Sequence, residues 1–183
     1  MPPRALKVVL GVTGSIAAYK SAEIVRGLVK AGHEVRCVLT PAGAQFITPM
    51  TLAALSRHPV AVNLHDPALW DMAHLSWSSW ADLILVAPAT ADFIARLAHG
   101  RAEGVLDAMI LSALCKVAVC PAMDAEMWAH KATQKNLSAL REYGYEVWGP
   151  AEGELASGKK GPGRLLEPSD IVARAAAATH RKK

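Results

Sequence analysis

Five short apolar runs, spaced by stretches of helical periodicity, restrict what this chain can fold into more than any other feature of its sequence. They read Leu6 to Leu10, Glu34 to Leu39, Leu83 to Ala87, Val117 to Cys120 and Tyr145 to Trp148. The third, LILVA, is uniformly apolar, as a strand must be when helices cover both faces of its sheet. Between the runs, Ile16, Ile24, Val25, Leu28 and Val29 fit one helix face, closed by Gly32. Further helices are predicted over Asp92–His99, Ala125–Tyr143 and Ser169–Ala178, the last with Ser169 as its N-cap. Regular strand–helix alternation with right-handed crossovers predicts an α/β fold. It is a doubly wound (Rossmann-like, flavodoxin-like) parallel sheet in a three-layer sandwich.

Length sets the scale of this fold. The chain has 183 residues, within the ~100–200 of an ordinary domain, and such a chain buries roughly 70% of its unfolded surface. A single domain over 1–183 is therefore expected, with its core from about 6 to 178. Apolar residues are 52% and charged residues 20% of the sequence, which excludes a disordered chain. The richest apolar stretch, Ala81 to Ala98, is broken by Asp82, Asp92 and Arg96, so no membrane span is expected. Met1 to Leu10 lacks a signal-peptide layout, and a cytoplasmic location is expected. The formal charge of +4 falls to +1 without the basic tail residues Arg181, Lys182 and Lys183, so no nucleic-acid partner is expected. The three cysteines, Cys37, Cys115 and Cys120, form no CxxC pair. They read as small buried hydrophobes, and no metal site is expected.

In doubly wound sheets, ligands bind beyond the carboxyl ends of the strands. Those ends are Gly11–Ser15, Thr40–Ala44, Pro88–Asp92, Pro121–Asp124 and Gly149–Ala151. The first exit, Gly11-Val12-Thr13-Gly14-Ser15-Ile16, supplies glycines, hydroxyls and a helix start. It is either a tight βα turn or a phosphate cradle, with neither dinucleotide nor Walker spacing. Lys20 lies too far along to act as a Walker lysine. Thr40 either adds a hydroxyl to that cradle or caps the turn before Pro41. His74 has apolar neighbours on both sides, which suggests partial burial and a tunable pKa. In Pro121-Ala122-Met123-Asp124-Ala125-Glu126-Met127-Trp128 an acid opens a helix, so Asp124 reads as an N-cap or as a site residue. The glycine-rich segment 153–163 reads as a flexible flap or as a plain surface loop.

Taken in order, GVTGSIAAYK, TPAGAQFITP, the His74 region with WADLILVAPATAD, PAMDAEMW and GPGRLLEP resemble the homo-oligomeric flavin-containing cysteine decarboxylases. The similarity is greatest to their phosphopantothenoylcysteine decarboxylase branch and runs from about Lys7 to Pro168. The resemblance implies FMN as cofactor, with Gly14, Ser15 and Ile16 at its phosphate beside Thr40. It also implies Thr90, Ala91, Asp92 and Phe93 at the flavin turn and Ala122 near the ring. His74 matches the catalytic histidine, Asp124 and Met127 the substrate motif, and Ser157 the reactive flap position. The implied reaction is FMN-dependent oxidative decarboxylation of a cysteine-type substrate, by default phosphopantothenoylcysteine to phosphopantetheine in coenzyme A biosynthesis. The implied assembly is a homotrimer or a dodecamer of trimers.

Three positions depart from the family pattern. Asp124 and Asp92 stand where asparagine is usual, and Ser157 stands in place of a flap cysteine. An ionised Asp is acceptor-only and repels a substrate carboxylate. A serine hydroxyl is a far poorer acid than a thiol with pKa ~8.5. Two further readings follow from these changes. One is a peptidyl-cysteine decarboxylase that releases an enethiol; the other is a non-catalytic FMN-binding or regulatory subunit of a mixed oligomer.

Overall fold

Each apolar run of the sequence becomes a strand, and the strands assemble in a single sheet. A computed structural model describes residues 5–64 and 73–178. The basic tail lies outside the described residues. In chain order the elements begin with β1 (Lys7–Val12), α1 (Ser21–Lys30), β2 (Glu34–Leu39), α2 (Pro49–Ser56) and β3 (Val60–Ala61). They continue with α3 (Ala73–Trp80), β4 (Leu83–Ala89), α4 (Ala91–Ala98), α5 (Val105–Leu111) and β5 (Lys116–Pro121). The chain then forms α6 (Ala125–Ala129), α7 (Lys131–Glu142), β6 (Glu146–Val147), β7 (Ala151–Glu154), β8 (Lys160–Arg164) and α8 (Pro168–Ala177). The six strands β3-β2-β1-β4-β5-β6 pair in that order, all parallel. This is the doubly wound order, and its topological switch point lies between β1 and β4.

Two apolar layers close the sheet. Alternate residues of β1, Val8, Leu10 and Val12, pack on one face with Ile24, Val25 and Leu28 of α1, Leu52 of α2 and Ile171 of α8. The other face carries Val9, Ile84 and Val86 against Trp77 of α3, Phe93 and Ile94 of α4, Met109 of α5 and Leu137 of α7. All seven residues of β4 are buried, as a central strand between two helical layers requires. Local chemistry sets the helix ends. Thr48 caps α2 through Thr51 N–H with Pro49 at the first position, and Thr90 caps α4 through Phe93 N–H. Cys37 and Cys120 lie in the core. Burial pushes the Cys37 thiol up to about 12, so it behaves as a small hydrophobe.

The structure corrects four expectations of local structure. Ile16 does not belong to the buried face of the first helix: Ile16–Lys20 is a 3-10 turn, and Ile16 is 58% exposed. The stretch Ala125–Tyr143 is two helices, because His130 is extended and its ring caps Ala132 N–H. Glu167 rather than Ser169 stands at the start of α8, since Pro168 fits the first helical position. The glycine-rich segment is regular: β7 and β8 pair antiparallel as a hairpin, pinned by buried Leu155 and Leu165.

Candidate active site

The exits of β1 and β4 are tied together by one side chain. Thr13, buried, donates its hydroxyl to Pro88 O at 2.8 Å and accepts Thr90 N–H at 3.1 Å. The exits of β1 and β2 meet through Gly14, where a Cβ would come 2.6 Å from that of Ala42. A side chain there would push the two loops apart, which explains a glycine at this point. The exit of β5 is met by the hairpin: Met123 N–H donates to Gly163 O at 3.0 Å. Gly163 has φ +140, and a Cβ on it would collide with the Met123 carbonyl.

Beside the junction of the β5 exit with the hairpin lies an open cavity of about 490 Å³. Ser15, Ile16 and Lys20 line it from the β1 exit, Ala122 and Asp124 from the β5 exit, and Leu155, Ser157 and Arg164 from the hairpin. A volume of this size suits a small-molecule ligand. Ser15 stands extended at the start of the 3-10 turn, and its hydroxyl accepts Ala17 N–H at 3.3 Å. With no acid in that first turn, the amide end of the turn favours an anion. At Asp124 one carboxyl oxygen is buried without a hydrogen-bond partner among the described residues. Glu126 and Ser157 beside it hold its carboxyl at about 2, well below the usual carboxylate range.

A profile of the family described as Flavoprotein matches residues 2–180. The chain belongs to the Flavoprotein family. Among its relatives, the coenzyme A biosynthesis bifunctional protein CoaBC of Vibrio cholerae is 50% identical over 168 residues, covering 91% of this chain. The match takes in 42% of that relative, so this flavoprotein spans less than half the length of the curated proteins it resembles. Its fold superposes on a PPC decarboxylase mutant complexed with pantothenoylaminoethenethiol. There the TM-score is 0.83 at 27% identity, with 95% of this chain and 98% of the other covered. It also superposes on the FMN-dependent cysteine decarboxylase SpaF, with TM-score 0.80 at 29% identity over 97% and 100% of the two chains. The family and fold read from the five motifs are thereby borne out.

The cavity of this flavoprotein gathers some of the residues singled out in the sequence and leaves others apart. Ser15, Ile16, Ala122, Asp124 and Ser157 line it. Thr40 does not; its hydroxyl is committed to Gly43 N–H at 3.0 Å, the capping alternative. Thr90 likewise spends its hydroxyl on Phe93 N–H at 3.2 Å, and the Phe93 ring is buried in the core. Asp92 pairs with Arg96 at 3.1 Å, and Arg96 also reaches buried Asp107 at 3.1 Å. The carboxylate at 92 is therefore partnered by a cation. Met127 is half-exposed on α6.

His74 stands in the first turn of α3, on the sheet face opposite the hairpin's anchor Leu165. Its Nδ1 is buried without a hydrogen-bond partner among the described residues, and its carbonyl accepts the Ser112 hydroxyl at 3.1 Å. Sequence reading passed over Arg164 and Glu167 as site residues and set Lys20 aside. Their signal was present as an Arg-x-x-Glu step just ahead of Pro168.

Proposed function

We propose that this chain binds FMN in the cavity at the strand exits and decarboxylates a cysteine-type thiol acid, by default phosphopantothenoylcysteine. The observation that carries this reading is convergence. The loop residues Ser15 and Ile16, the motif Ala122–Asp124 and the hairpin tip at Ser157 are far apart in sequence but meet on one cavity. Relatives named as CoaBC and as FMN-dependent cysteine decarboxylases support the same reading.

Residues of the chain fit the cofactor. Gly14, Ser15 and Ile16 would take its phosphate at the amide end of the 3-10 turn, with Thr40 fixing the neighbouring loop. Ala122 leaves room for a flat ring, and the turn Thr90–Phe93 would border it through backbone groups. When bound, FMN supplies a two-electron acceptor for the carbon that bears the thiol, which makes loss of the adjacent carboxylate favourable. The protein's share is to orient, enclose and place protons. Asp124 would face the substrate from the cavity wall and Ser157 would cover it from the hairpin, with Met127 on α6 just beyond the lining. His74 acts as the base or orienting group. His74 does not line its own chain's cavity, and exposed Leu75, Leu111 and Leu114 lie on the same helices, α3 and α5, or just beyond. We therefore infer a homotrimer in which His74 serves the cavity of a neighbouring copy.

The test is the purified chain's visible spectrum followed by incubation with phosphopantothenoylcysteine. Bound FMN, released carbon dioxide and a thiol product are expected. A chain that stays colourless with added FMN would sink the reading. Accumulation of enethiol absorbance in place of the saturated thiol would assign that outcome to Ser157.

A further inference from the structure

The imidazole of His74 lacks the contact that ordinarily fixes a histidine used as a base. Such a ring is held by a carboxylate or carbonyl on its second nitrogen, which sets both its tautomer and its direction. In His74 the Nδ1 atom is buried without a hydrogen-bond partner among the described residues. The direction of the ring therefore depends on the backbone that carries it.

That backbone is a short helix. α3 has eight residues, fewer than the ~12–15 at which an isolated helix holds in water, so tertiary contacts place it. Ala73 and Trp77 are its buried apolar anchors. Towards its last turn, Arg36 of β2 lies 5.3 Å from the Trp77 ring and 4.3 Å from the Trp80 ring, a cation–π clamp. Contacts of this kind fix how deep a helix sits better than where it stands along its own axis. A directional bond is needed for the second.

Ser112, the residue that ends α5, supplies one at the His74 end. Its hydroxyl donates to the His74 carbonyl at 3.1 Å. Ser78 Oγ and Met109 O lie at the same distance of 3.1 Å. Ser78 is buried and spends its own proton on Leu75 O at 2.9 Å, which leaves its oxygen free to accept. Two of the three acceptors around Ser112 thus belong to α3. They stand four residues apart, on one face of the helix and one turn from each other. The hydroxyl is a peg between the first two turns of α3, and α5 is the board it is set in.

We propose that Ser112 is a positioning residue: it holds the first turn of α3 in the register that aims the His74 imidazole. The inference rests on the reading above for what His74 does, and adds to it the residue that acts through His74.

The experiment compares the FMN-loaded wild type with Ser112→Ala and with Ser112→Thr, which keeps the hydroxyl. Turnover of phosphopantothenoylcysteine is measured together with the ring Cε1–H resonance of His74, assigned by its absence from His74→Asn. Loss of one hydrogen bond predicts a fall in kcat of about 3- to 10-fold in Ser112→Ala, with KM and the FMN Kd within about twofold of wild type. The His74 resonance should shift or broaden, and Ser112→Thr should restore most of both signals. Should the alanine variant not fold, Ser112→Cys, a weak donor of similar size, is read in its place with an intermediate effect expected. A His74 resonance that stays where it is in wild type, whatever happens to kcat, would overturn the proposal; so would a loss carried by KM or by FMN binding. A wild type that turns over no thiol acid would refute the decarboxylase reading instead, and the resonance would still decide whether Ser112 holds His74.

Discussion

Asp124 places a second negative charge where a carboxylate substrate is expected to sit. One of its oxygens is buried without a hydrogen-bond partner among the described residues, and its carboxyl is held at about 2. The sign of this shift matters. A lowered value keeps the group charged throughout the range from pH 5 to 8, so its repulsion of an anion does not fade on mild acidification. Like charges brought close together repel even at the dielectric of water. Asp124→Asn should therefore lower the KM of a carboxylate substrate by about fivefold or more, equally at pH 5.5 and pH 8. Steady-state kinetics at the two pH values check this; no gain at either would remove the repulsion argument. The other departure, Asp92, is a different case, because its carboxylate is exposed and shares Arg96 with buried Asp107.

At the scale of elements, the hairpin is what turns the β1 and β5 exits into a cavity, and its position depends on Gly163. A side chain there meets the Met123 carbonyl, and overpacking of this kind costs about 1–3 kcal/mol. Gly163→Ala should release β8 from the β5 exit while leaving the six-stranded sheet intact. Hydrogen exchange should rise at Met123 and across 151–164 with β1 and β4 still protected; unchanged protection at Met123 would count against this junction. Of the strands first recognised in the sequence, β1, β4 and β5 were legible because burial on two faces demands nearly continuous apolar runs, whereas β2 and β6 carry Glu34, Arg36 and Glu146 within weaker runs. The two-residue β3 is too short to carry such a signal. The hairpin shows only Leu155 and Leu165 as anchors among glycines and lysines. The site was legible where backbone geometry dictates the residue, as at Gly14, or where an acid opens a helix, as at Asp124. Lys20 and Arg164 stayed hidden because their meeting point is a tertiary one: a 3-10 turn and a hairpin strand brought together over Glu167.

Across the whole molecule, two groups of exposed apolar residues bear on the proposed trimer. Ile16 and Tyr19 stand at the cavity mouth, and Leu75, Leu111 and Leu114 near His74; all five are 44–67% exposed. Packing one set on the other in a closed ring would bring His74 to a neighbour's cavity. Light scattering should give three copies of the 19.4 kDa chain, or a multiple of three. Leu111→Asp with Leu114→Asp should yield monomers that lose FMN on dilution. A wild-type chain that is monomeric at micromolar concentration would end the shared-site reading.

The sheet's own borders bear on the same question from the side of the backbone. Its outermost strands, β3 and β6, are two residues long each, so the ladder runs out almost as soon as it reaches solvent. A long bare edge would recruit any passing strand, the usual start of uncontrolled sheet growth. Here the outermost strands offer little main chain of their own. In the proposed trimer, contacts between copies would be made by side chains on the helical layers, where a wrong partner fails to fit.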